Sequence, residues 1–451
     1  MAADPARTQA LRAATEAAMP RVRAWLDELV RIPSVSDVEG DAPQVRASAE
    51  AVARILGEVG FGEVEILSEG GRPAVLARKP APPGAPAVLL YAHHDVQPPG
   101  DDTDWDSPPF EPTERGDRLY GRGAADDKAG IAAHLAAYLA HDGGPPVGVT
   151  VFVEGEEESG SRSLPDILRR HHDKLAADVY VIADSTNWDI GVPALTTSLR
   201  GLVNCTVEVR TLHHGVHSGM WGGVVPDALT TLSRLLATLH DEAGDVAVEG
   251  LVSGPASDLA YPEDRVRTES AVLDGVHLIG TGSVVERLWT RPAIAVTGID
   301  APATAHASNT LVPVARAKVS LRVAPGDDCH RALAAITEHL ERHVDWGAEV
   351  SVSDPDLGQP YAIDAHGPAY DAARSAFADA WDGTAPVDIG VGGSIPFIAE
   401  FAAAFPDAAI VVTGVEDPDT RAHGANEGLH LGEFARVCLA EALLIDRLAA
   451  P

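Results

Sequence analysis

Tyr120-Gly121-Arg122-Gly123-Ala124-Ala125-Asp126-Asp127-Lys128-Ala129-Gly130 is a small-residue turn that delivers two consecutive carboxylates to the head of a helix. Beyond it, Ile131, Leu135, Tyr138 and Leu139 recur at the i, i+4, i+7, i+8 spacing of a buried helix face, which predicts a helix starting near Lys128. Carboxylates at that end are favoured by the helix dipole, and the flanking glycines let backbone approach backbone closely. Asp126 is the pivot. Taken alone, the stretch reads equally well as a capped helix with solvated acids, so its meaning depends on what the neighbouring strands carry.

Short apolar runs at 74–77, 87–92, 148–153 and 178–183 flank this helix and alternate with helical segments; the 20–31 and 51–59 patterns are packing helices. Runs of Val, Leu and Ile that do not alternate are strands covered on both faces, and their alternation with helices predicts an α/β domain with a mostly parallel central sheet. Ligands in such sheets collect beyond the carboxyl ends of the strands. Those ends read His93-His94-Asp95, then Glu154-Gly155-Glu156-Glu157-Glu158-Ser159-Gly160, then Asp184. A later apolar run, 409–413, is followed by a turn-rich segment holding His423, Asn426 and Glu427. One histidine or aspartate after a strand is ordinarily a turn residue; coincidence at all of these ends is not ordinary.

The pattern changes between Leu199 and Gly358. Residues 202–209 alternate strictly, with Val203, Cys205, Val207 and Val209 on one face, and 314–323 does the same. Such strands belong to a sheet with one open face. Helical patterns at 227–239 and 329–343 and further strands at 293–297 and 349–353 give the order βαββαβ, a ferredoxin-like α+β unit. The α/β pattern resumes afterwards. The expected organisation is therefore a catalytic domain in two parts, 1–198 and 359–451, interrupted by an inserted domain, 199–358.

With 34 basic against 67 acidic residues the formal net charge is −33. Such a surface repels phosphate backbones and anionic lipid, so neither a nucleic acid nor a membrane is expected as partner. The three cysteines, Cys205, Cys329 and Cys438, lie far apart and suggest neither a disulfide framework nor a thiolate metal site. The start of the chain lacks an apolar signal core, and no long apolar run occurs. A cytoplasmic protein in a reducing compartment is expected.

His93 and Asp95 are one residue apart, so on an extended chain both side chains point the same way, as a metal ligand and the group orienting its ring do. Glu157 and Glu158 diverge, which leaves one free to act as a base while the other binds metal. Asp126 with His93 and Asp184 supplies three ligands to one ion, and Asp126 with Glu158 and His423 supplies three to a second. A shared hydroxide completes tetrahedral nitrogen and oxygen sites suited to Zn²⁺, with Mn²⁺ and Co²⁺ fitting the same donors.

His93-x-Asp95, Gly121 to Lys128, Glu154-Gly155-x-Glu157-Glu158-Ser159-Gly160-Ser161, Asp184, His217-Ser218-Gly219 and His423-x-x-Asn426-Glu427 resemble the dinuclear-zinc metallopeptidase family of carnosinase, cytosolic nonspecific dipeptidase, glutamate carboxypeptidase and acetylornithine deacetylase. The resemblance runs from about Leu89 to Glu427. It implies a zinc-peptidase-like catalytic domain and an inserted domain serving as lid and dimerisation surface. It implies two Zn²⁺ per subunit on His93, Asp126, Glu158, Asp184 and His423, Glu157 as general base beside Asp95, and a cis peptide between Asp126 and Asp127. His217 matches a histidine that meets the oxyanion in the partner subunit of a homodimer. Asn309, Arg322, Gly393 and Ser394 match groups that hold the substrate's carboxylate. Glu156 adds a third acid to the usual pair, and Ser159-Gly160-Ser161 fixes the register in favour of Glu157.

The expected activity is metal-dependent hydrolysis of the amide bond of dipeptides or short peptides with a free C-terminal carboxylate. Tyr91-x-His93-x-Asp95-Val96-Gln97-Pro98 favours the dipeptidase branch. The alternative is an N-acyl- or N-carbamoyl-amino-acid amidohydrolase using the same metals.

Overall fold

The computed structural model describes residues 4–36, 42–142, 144–254, 259–393 and 396–449. The chain divides into two compact units, one formed by Met1–Thr197, Ile363–Ile389 and Pro396–Pro451, the other by Ser198–Ala362 and Gly390–Ile395. In the second unit the Arg200 amide donates to the Val391 carbonyl at 3.2 Å.

In the first unit the strands Gly148–Glu154, Ala87–His93, Val179–Ile182 and Ala409–Val412 run parallel in that spatial order. Ala74–Lys79 and Glu63–Leu67 extend one edge antiparallel, and Ala194–Leu199 lies antiparallel beyond 409–412. The central strands are buried along their whole length, as expected from their non-alternating composition. One face is covered by the helices Pro5–Val30, Lys128–Ala140 and Leu431–Leu448, whose Leu26, Leu135, Phe434 and Leu443 join the core with Val88, Leu90 and Val181. The opposite face is aromatic: Phe397 stacks on Tyr91 at 3.8 Å, and Phe401 meets Tyr180 at 5.1 Å between centroids.

The first helix is longer than its periodicity predicts. It starts at Pro5 rather than near Pro20 and carries Pro20 in its interior. Leu11 and Thr15 are buried ahead of Pro20, and the proline sits on the exposed side, so tertiary packing outweighs the helix-breaking tendency. The second helix likewise begins earlier, at Ala42, to bury Val45 and Ala49.

The second unit is an antiparallel sheet in the order Ala293–Asp300, Val314–Val323, Gly201–Arg210, Glu349–Gly358. Helices Ala228–Ala237 and Cys329–His343 cover one face, closing a core of Val203, Val207, Val319, Leu321, Leu232 and Ile336. Both Asp227 and Asp328 cap their helices through side-chain oxygens. This is the ferredoxin-like arrangement that strict alternation implies.

Candidate metal centre

The carboxyl ends of the parallel strands bring His93, the 154–158 loop and Asp184 to one rim, and the helix starting at Lys128 sets Asp126 against them. The turn before that helix is shaped from elsewhere. Glu427 accepts the backbone N–H of Gly123, Ala125 and Asp126 at 3.1, 2.9 and 3.1 Å and pairs with Arg122 at 2.6 Å, all in the interior. Gly123 takes a positive φ of 80°, and the Asp126–Asp127 peptide is cis. Gly130 is needed because a Cβ there would lie 2.2 Å from Asp127 Oδ1. Asp127 is turned inward, its Oδ2 accepting the His93 amide at 3.1 Å.

Asp126 divides its oxygens between two imidazoles. Oδ1 stands 3.1 Å from His93 Nε2, and Oδ2 stands 3.0 Å from His423 Nε2. Asp184 Oδ1 is 3.7 Å from His93 Nε2, and Glu158 Oε2 is 3.3 Å from His423 Nε2. Donor atoms of His93, Glu157 and Asp184 lie within 4.8 Å of one another, as do those of His93, Asp126 and Glu158. His93 Nδ1 is 3.0 Å from the Asp95 carbonyl oxygen and 3.4 Å from its carboxylate. That carboxylate accepts the backbone N–H of Glu157 and Glu158 at 3.2 and 3.1 Å, so Asp95 orients ring and loop together.

The other members of the motifs face elsewhere. His94 points away and meets the Pro73 carbonyl at 2.8 Å, and burial pushes its pKa down to about 4. Glu156 accepts the amides of Ser163 and, at 2.9 Å, Arg72, so its carboxylate is engaged outside the cluster. Gln97 donates to both Glu158 oxygens, at 3.1 Å from its amide and 2.8 Å from its side chain.

The electrostatics are those of a site short of positive charge. Burial, then Asp184, raises the Glu157 pKa well above the ordinary carboxylate range, and burial with Asp126 raises that of Glu158. Asp126 is lowered instead: burial opposes ionisation, but His423 and His93 outweigh it. Asp126 and Glu158 push His423 up to about 11. A cluster of imidazole nitrogens and carboxylate oxygens without thiolates, crowded to ligand spacing, fits divalent metal ions that prefer nitrogen and oxygen donors.

Sequence reasoning passed over one acid. Glu416 follows the 409–412 strand, bridges Thr186 in parallel and is pushed well above its usual pKa by burial, then by Asp126 and Asp184. The strand-end logic that picked out His423 reaches Glu416 sooner, only four residues past Val412.

The remaining predicted residues belong to the second unit. His217 is exposed, and its Nδ1 accepts the Gly219 amide at 3.0 Å. It lies on a two-stranded ribbon opposite Thr310, where the Ser218 amide donates to the Asn309 carbonyl at 2.9 Å, so His217 and Asn309 are neighbours. Arg322 is half-buried on the face of its sheet away from the helices, and Gly393 is half-buried in the loop after Val391. Ser394 lies outside the described residues.

Residues 89–447 match the model of peptidase family M20/M25/M40. The chain is 33% identical over 428 residues to the cysteinylglycine-S-conjugate dipeptidase of Corynebacterium striatum, covering 94% of each. It is 30% identical over 382 residues to the β-Ala-His dipeptidase of Rattus norvegicus, covering 79% of this chain and 76% of the relative. The structure of human carnosine dipeptidase 1 superposes with a TM-score of 0.83 at 25% identity, covering 100% of both chains. With a family match across most of its length and a relative of this similarity end to end, the chain belongs to peptidase family M20/M25/M40.

Proposed function

We propose that this protein is a dinuclear metallopeptidase that hydrolyses the amide bond of dipeptides with a free C-terminal carboxylate. The observation that carries the reading is Asp126, whose oxygens stand 3.1 Å from His93 and 3.0 Å from His423, with Glu157 beside His93 and Asp184. Similarity to a dipeptidase over 94% of both chains supports it, and no observation favours N-acyl- or N-carbamoyl-amino-acid hydrolysis.

His93, Asp184 and the shared Asp126 would hold one ion, and Glu158, His423 and Asp126 the other. Bound there, divalent cations lower the pKa of water toward neutrality and polarise a carbonyl. Zn²⁺ suits these donors, and Mn²⁺ and Co²⁺ fit them too. Glu157 acts as general base. Placed beside His93 and Asp184, its carboxylate is positioned to accept a proton from the attacking water and return it to the leaving amine. Asp95 fixes both the His93 ring and the Glu157 backbone, so the base does not drift.

In the second unit, Arg322, Asn309, Gly393 and Ser394 take the substrate's carboxylate, and His217 donates to the oxyanion of a partner subunit in a homodimer. Exposed Met220 and Val224 close to His217, at 73% and 86%, support such an interface. Free Cys205, Cys329 and Cys438 suit the reducing cytoplasm, and among the described residues no helix is long and apolar enough to cross a membrane. A panel of dipeptides beside N-acetyl and N-carbamoyl amino acids tests the reading. Cleavage of the dipeptides supports it, and exclusive cleavage of the acylated amino acids overturns it.

A further inference from the structure

Arg200 is a buried guanidinium with no anionic partner among the described residues. It is 7% exposed, and its Nη1 donates to the carbonyls of Arg287 and Arg291, at 3.2 and 3.4 Å. Its Nε is buried with no hydrogen-bond partner among the described residues. Among the described residues no carboxylate pairs with it. Burial, with Arg322 as second cause, pulls its pKa down to about 10. A buried charge left uncompensated is costly, so a group that supplies the missing anion is strongly favoured.

Two features show where that anion belongs. Arg200 directly precedes Gly201, which pairs in register with Val323, the neighbour of Arg322, so the two arginines leave adjacent backbone positions at the end of one strand pair. Arg322 also has no acidic partner among the described residues. Gly392 covers the guanidinium, since a Cβ there would lie 2.8 Å from Arg200 Nη2. Among the described residues, a Cβ on Gly393 beside it would meet nothing closer than Val391 Cγ1 at 4.0 Å. Two cationic residues and a glycine turn of the same unit thus lie near one another with no negative charge paired to them among the described residues.

We propose that Arg200 is a second guanidinium of the carboxylate pocket, a positioning residue that makes the enzyme select peptides with a free C-terminal carboxylate. This rests on the dipeptidase reading. Arg322 presents its charge from the open face of the sheet, and Arg200 Nη2, beside Gly392, reaches the same anion. Planar guanidinium groups suit carboxylates, which they bind through paired N–H donors. Arg200, held by the 287 and 291 carbonyls, sets the position of an anion that Arg322 also meets.

The test compares kcat and KM of the full-length enzyme and its Arg200→Gln, Arg200→Lys and Gly392→Ala variants on alanylglycine and its C-terminal amide. Arg200→Gln is expected to raise KM for the free acid about tenfold, the loss of one hydrogen bond to a charged group, with kcat changed less than about twofold and KM for the amide unaltered. Arg200→Lys restores part of the loss. Gly392→Ala keeps the charge but crowds Nη2, and moves KM in the same direction, so the inference is testable even where the glutamine variant does not fold. Equal KM changes for acid and amide, or full discrimination in all three variants, overturn it. The thermal shift given by acetate over that given by acetamide supplies a readout independent of turnover. A shift smaller in Arg200→Gln than in the wild type supports the inference, and an equal shift overturns it. Failure of the wild type to cleave alanylglycine counts against the dipeptidase reading, whatever the acetate result.

Discussion

Arg122 Nη1 stands 2.6 Å from Glu427 Oε2, and both residues are buried. The pair ties the C-terminal loop that carries His423 to the turn that carries Asp126, while the other lobe of Glu427 gathers the Ala125 and Asp126 amides. Breaking a buried pair by removing one partner leaves an uncompensated charge and costs about 3–5 kcal/mol. Glu427→Ala is therefore expected to lower the melting temperature by several degrees and to reduce the metal content of the purified protein. A variant with wild-type melting and wild-type metal content would show that the turn is held by other means.

Glu157→Gln separates binding from chemistry. General-base catalysis contributes roughly 10²–10⁴-fold, so kcat is expected to fall by that factor, with metal content and KM little changed. Turnover equal to the parent's assigns the proton transfer to another group, with Glu416 the first to examine.

Much of this is legible in the sequence. The strands around His93, Glu154 and Asp184 could be read because runs covered on both faces leave an uninterrupted apolar signature, and the residues just past them fall where ligands gather. The inserted unit was legible from the strict alternation of residues 202–209, where Val203, Cys205, Val207 and Val209 are all buried. What stayed hidden depends on distant partners. Pro20 reads as a boundary until Leu11 and Thr15 are seen to pack beneath the same helix. Arg200 looks like a junction residue because nothing local reveals that it lacks an anion, and Glu427 looks like a ligand-loop acid until its contacts 305 residues away at Arg122 are known.

Stability should respond to pH through Glu154. This carboxyl is buried and accepts the Tyr91 hydroxyl at 2.7 Å. Burial raises its pKa from 4.5 to about 7. The folded state therefore holds a proton that the unfolded chain has released, so the stabilisation is complete below pH 4.5 and is lost as pH rises through about 7. Glu154→Gln mimics the protonated form. Its melting temperature relative to the wild type should rise between pH 5 and 8, and a difference independent of pH would contradict the assignment.

The most direct measurement of the central claim is a metal titration of chelator-treated protein, following alanylglycine hydrolysis alongside bound metal. Hydrolysis should vanish on chelation and return to its plateau at two equivalents of Zn²⁺ per chain, while Asp126→Asn, lacking one of the two shared oxygens, should bind less and stay inactive. Full hydrolysis by the metal-free protein, or a plateau reached at a single equivalent, would contradict a centre in which Asp126 joins two ions.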